Sequence, residues 1–92
     1  MERKYVYKLI DDERDYQDSK WDDVSETRNG VSDEPDKNKS VAEWIIYMEK
    51  LLNDAKNRIY HLDKEGAMEF IRKTTAVGVA CIQVHGCPPR IK

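Results

Sequence analysis

The sequence predicts a small all-α protein. Three observations carry this reading. Apolar residues recur at steps of three and four along most of the chain, a capping box opens its central segment, and no convincing strand pattern interrupts. At 92 residues the chain is one domain, with an N-terminal helix over 1–21, a mobile acidic loop over 22–39, a helical hairpin over 40–86 and a tail over 87–92.

The first helix is expected over about 3–20. Val6, Leu9, Ile10, Glu13, Tyr16 and Gln17 share one face, which begins apolar and turns polar. Asp11, Asp12, Arg14, Asp15 and Asp18 crowd the other side, which is expected to be solvated. Residues 22–39 then hold two aliphatic side chains, Val24 and Val31. Asn29-Gly30 is a turn signal and Pro35 breaks a helix, so a solvated linker is the expectation.

Ser40-Val41-Ala42-Glu43 is the capping box. The Ser40 hydroxyl can accept from the Glu43 amide, and the Glu43 carboxylate can reach back. Val41, Trp44, Ile45, Met48, Leu51, Leu52, Ala55 and Ile59 follow as one apolar face, and the helix should run to about His61. The short turn from His61 to Gly66 favours an antiparallel partner. That third helix is expected from about Ala67 to His85. Met68, Ile71, Thr75, Gly78 and Ile82 mark one face; Thr74, Val77, Cys81 and Val84 mark a second. A helix apolar nearly all round is buried on several sides, so its far side should meet another subunit. Gly78 and Ala80 would admit a close neighbour. Gly86 suits the left-handed residue after a helix, and Pro88-Pro89 forbids continuation. The expected architecture is two long antiparallel helices and a shorter N-terminal helix, intertwined as a homo-oligomeric bundle.

Charge narrows the function. Residues 1–40 hold twelve acids and eight bases, whereas residues 41–92 hold six acids and eight bases. The acidic front half argues against a general nucleic-acid binder, which needs clustered Lys and Arg. A small basic pocket in the back half stays open. No apolar run reaches the length of a membrane span. The opening MERKYVYKLIDDE carries charges where a secretory leader needs none, so a cytoplasmic location with reduced cysteines is expected.

Cys81, His85 and Cys87 gather at one helix end, but a structural zinc site closes with four ligands and only the distant His61 remains. No metal site is expected. No nucleophile elbow and no phosphate-cradling glycine loop occur. Carboxylates for magnesium chemistry would have to come from Glu43, Glu49, Asp54 and Glu69; Glu49 and Asp54 do not share a face cleanly, and ordinary ion pairs such as Lys50 with Asp54 are the plainer reading. A fuller set is basic and polar. Arg72, Lys73, His85 and Arg90 are candidates to meet phosphates, Trp21 or Tyr47 to stack on a base, and Glu13 and Gln17 to orient polar edges.

ERDYQDSKW over 13–21, the S-V-x-E-W helix start at Ser40 and RKTTAVGVACIQVHG over 72–86 resemble small phage and prophage proteins. Those in turn resemble the MazG-like all-α nucleotide pyrophosphohydrolases. The resemblance implies a nucleotide-type ligand and an intertwined dimer or tetramer, in the cytoplasm of an infected or lysogenic bacterial host. The MazG pattern holds magnesium with an E-E-x-x-E run and an E-x-x-D. Here Glu49 and Asp54 alone could serve from the first, and Arg72 stands in the Asp place of the second, after Glu69. The expectation is binding of a nucleotide or nucleotide-derived signal, as a sponge countering host defence, with little or no hydrolysis and no cofactor. Two alternatives stand beside it: a magnesium-dependent pyrophosphohydrolase using Glu49, Asp54 and Glu69, and a protein-binding inhibitor using the acidic loop.

Overall fold

Helix α3 (Lys64–His85) is the element on which α1 (Arg3–Ser25) and α2 (Val41–Tyr60) assemble. Both pack on α3 and hardly touch each other. The computed structural model describes residues 1–25 and 38–91, with 21–25 described by backbone alone. All three elements are helices, and no strand occurs among the described residues. None of these helices is long and apolar enough to cross a membrane.

The N-terminal helix is not the shorter one. At 23 residues α1 exceeds α2 at 20 and α3 at 22, and it continues through Ser25 into the segment expected to be loop. The reason is local: nothing between Lys20 and Ser25 breaks a helix, and the first Gly and Pro come only at Gly30 and Pro35. The rest of the expected acidic loop, 26–37, lies outside the described residues.

The start of α2 forms as the capping box requires. Ser40 Oγ accepts from the Glu43 amide at 3.2 Å, and the Glu43 carboxylate accepts from the Ser40 amide at 3.2 Å. At the other end, the Asp63 amide donates to the Arg58 carbonyl at 2.8 Å and the Leu62 amide to the Ile59 carbonyl at 3.0 Å. This is the Schellman closure, with Leu62 in its left-handed position at φ 59°. Asp63 then starts α3 by accepting the Gly66 amide at 2.9 Å, so α3 begins at Lys64 rather than Ala67. One aspartate thus ends one helix and opens the next, which is why the turn is so short. At its far end α3 stops on Gly86, at φ 73°.

Helices α2 and α3 run antiparallel. Arg58 lies over the Phe70 ring near the turn, while His85 Nε2 meets the Lys39 carbonyl at 2.7 Å at the open end. Their core is Trp44, Leu51, Val77 and Ala80, flanked by Met48, Phe70, Cys81 and Val84. Residues of a helix turn by about 100° each, which gives α3 three distinct faces. Phe70, Val77, Cys81 and Val84 face α2. Arg72, the Lys73 carbonyl and Gln83 meet α1, with Ala76 fully buried on the same face. Met68, Ile71, Thr75 and Ile82 form the third face and are exposed.

Helix α1 buries Ile10, Arg14 and Gln17, while Leu9 and Tyr16 are exposed. The solvated side expected for Arg14 is therefore corrected: this residue is 9% exposed. An arginine can be buried when its donors find acceptors, and Arg14 finds them on two helices.

Candidate functional site

The seam between α1 and α3 is a connected polar network. Arg14 Nε donates to Gln83 at 3.0 Å, Nη1 to Gln17 at 3.2 Å and Nη2 to Asp18 at 2.8 Å. Gln17 Nε2 donates to Glu13 and to the Lys73 carbonyl, both at 3.3 Å. Arg72 Nε donates to Glu13 Oε1 at 2.8 Å. Burial of these groups would be costly unpaired, so the pairing fixes how α1 lies on α3.

Within that network Arg72 is placed differently from Arg14. The Glu13 side chain is 9% exposed, but that of Arg72 is 34% exposed. Among the described residues Nε is the one guanidinium nitrogen of Arg72 with an acceptor. A buried carboxylate thus orients the group by one edge and leaves Nη1 and Nη2 available. Lys73, next along the chain, holds its ammonium 4.7 Å from the centroid of the Phe70 ring, which Arg58 also approaches at 5.9 Å. Three cations from two helices therefore lie along this end of α3. An exposed aromatic, Tyr16, sits one helical turn from Glu13 on α1.

Of the residues singled out by sequence, Glu13, Gln17 and Arg72 are brought together, and Lys73 joins them through its main-chain carbonyl while its ammonium lies over Phe70. His85 and Arg90 are not part of that group. His85 sits at the last turn of α3 and is engaged with the Lys39 carbonyl, and Arg90 is exposed in the tail. Thirteen residues of helix separate His85 from Arg72, about 20 Å along the axis. Tyr47 is exposed on α2. The side chain of Trp21 lies outside the described residues.

The carboxylates of the enzymatic alternative are dispersed. Glu49 and Glu69 are exposed, and Asp54 pairs with Lys50 at 3.2 Å. Among the described residues no three His, Cys, Asp or Glu side chains form a group suited to a metal ion. Asp54 instead lines an open cleft of about 500 Å³ with Asn57, Arg58, His61 and Phe70, beside the turn. Cys81 packs at the edge of the core and Cys87 is exposed; both are free thiols. Lys8 has its pKa raised by its hydrogen bond to Asp12 and by that carboxylate's charge, out on the exposed side of α1.

Sequence reasoning missed Arg14 and Tyr16. The signal for Arg14 was its spacing, four after Ile10 and three before Gln17, which is one helical stripe. No family model, curated protein or solved structure matches the chain, so the likeness to MazG-like enzymes and phage proteins rests on the quoted residues alone.

Proposed function

We propose that the protein binds a phosphate-bearing, nucleotide-type small molecule and holds it without turnover. The observation that supports this most is the half-open Arg72, tethered through Nε to a buried Glu13. A guanidinium held this way loses little side-chain freedom when it receives a phosphate on its free edge, and such pairs are bidentate and strong. Lys73 and Arg58 add positive field at the same end of the hairpin, and Tyr16 offers a ring for a base.

The placement of the carboxylates favours binding without hydrolysis. Phosphoanhydride cleavage needs several carboxylates converging on magnesium. Glu49, Asp54 and Glu69 do not converge, and a cation stands where the resemblance would want an acid. A protein of this kind acts by sequestration, lowering the free concentration of a nucleotide signal.

A thermal-shift screen over nucleoside phosphates and cyclic oligonucleotides, with and without magnesium, tests the reading. Binding should raise Tm with no product and no metal requirement, and the shift should vanish in Arg72→Lys, which cannot fork onto a phosphate. Absence of a shift with every compound would sink it. Release of pyrophosphate with magnesium, abolished by Glu69→Gln, would favour the enzymatic alternative.

A further inference from the structure

Helix α2 carries an apolar stripe turned away from its own core. Ile45, Leu52 and Ile59 recur every seven residues, and each is close to half exposed. Seven residues are two helical turns, so the three lie along one line. Helix α3 continues this surface with Met68, Ile71 and Ile82, all exposed. Thr75 lies among them and donates its hydroxyl to the Ile71 carbonyl at 2.8 Å, so its polar group is already satisfied. Met48 and Gly78 meet between the two stripes, where a Cβ on Gly78 would stand 3.7 Å from Met48 Sδ. Helix α1 packs instead on the face of α3 that carries Arg72 and Gln83.

Val41, Ile45, Leu52, Ile59, Met68, Ile71 and Ile82 are each between 38% and 55% exposed, a run of neighbours rather than the single scattered apolar residues usual on a monomer's surface. The chain's own remaining segment is a poor cover, since residues 26–37 contain one aliphatic side chain, Val31.

The pattern itself specifies the occupant. Ile45 and Ile59 are each seven residues from Leu52, and along one side of them lie Glu49, three residues before Leu52, and Lys56, four after it. Both are exposed, and neither has an ion-pair partner among the described residues. Reversing α2 about Leu52 therefore maps the stripe onto itself and brings each acid to within one residue, about 1.5 Å of helical rise, of a base. From this we infer that two copies of the chain pair antiparallel through α2 about a two-fold axis at Leu52. Ile45 packs on Ile59 of the partner subunit, and Glu49 faces Lys56 of the partner subunit. The α3 stripes close the flanks, giving a four-helix core of two hairpins, with both α1 helices outside. A self-complementary patch is what a two-fold interface demands.

Sedimentation equilibrium of the full chain tests this. The unmodified protein should dimerise. Glu49→Lys and Lys56→Glu should each weaken the dimer by about tenfold, because the symmetry counts every changed contact twice. The charge swap combining both should recover the original affinity, an outcome no general destabilisation produces. Leu52→Asp should give a monomer that keeps its helical circular dichroism. A chain that stays monomeric at all concentrations, or a swap no better than its single changes, would overturn the pairing. So would a dimer indifferent to Leu52→Asp, or a monomer whose stripe takes up some other protein instead. Arg72 lies on the α1 face, so ligand binding and dimerisation are read separately.

Discussion

Arg72 donates to Glu13 at 2.8 Å across 59 residues of sequence, and the two ends of this pair differ in exposure. The carboxylate is buried; the guanidinium is half open. Breaking the pair from either side therefore has unequal consequences.

Arg72→Met should cost about 2 kcal/mol, because Glu13 is left buried with only the long Gln17 contact. Glu13→Gln should cost about 1 kcal/mol or less, because an amide oxygen still accepts and Arg72 can turn to water. Urea denaturation of the two variants gives the comparison. Equal losses would mean that Glu13 is solvated when alone.

Leu62 occupies a left-handed backbone position with its side chain almost fully exposed, so it contributes strain and little packing. Leu62→Gly should stabilise the protein by about 1 kcal/mol, the excess of the left-handed cost over the added chain entropy. A rise in Tm is the expected readout, and a fall would show that Leu62 contacts something in solution.

Gly66 is constrained by its neighbour rather than by its backbone. A methyl there would collide with the Asp63 carboxylate that caps α3. Gly66→Ala should destabilise by about 1 kcal/mol through loss of that cap. In an Asp63→Ala background the same change should become favourable, since alanine is the better helix residue by about 1 kcal/mol. A double-mutant cycle that changes sign in this way identifies the cap as the cause.

His85 ties the entrance of α2 to the exit of α3 through the Lys39 carbonyl. His85→Ala should cost under about 1 kcal/mol globally, since the bond is exposed. Its local effect should be larger: faster amide exchange in the first turn of α2 than in the rest of that helix.

The hairpin was legible in the sequence because its signals are local. Ser40 and Glu43 are three residues apart, and Gly86 precedes two prolines; the Asp63 cap is as local but was missed, and α3 starts three residues before the expected Ala67. Each determines a boundary without reference to the rest of the chain. Helix α1 was less legible for the opposite reason. Its buried side is mostly polar, and the partner that makes Arg14 tolerable there is Gln83, 69 residues away. Its end was obscured because an acidic run looks like linker by composition while remaining free of helix breakers. The convergence of Glu13 and Gln17 with Arg72 could be guessed from chemistry. The separation of His85 and Arg90 from them follows from helix length alone.

The polar seam under α1 has one more consequence. Ile10 is the sole hydrophobic side chain that α1 buries among its described residues, whereas the hairpin buries Trp44, Leu51, Val77 and several alanines. Hydrogen bonds exchanged for water release little free energy, so α1 can lift away at far lower cost than global unfolding. The chain should therefore behave as two cooperative units, an outer arm that opens often and a hairpin that opens rarely. Native-state exchange would then show one plateau for residues 3–20 and a higher one for 41–85, and each opening of the arm would free Arg72 from its Glu13 tether.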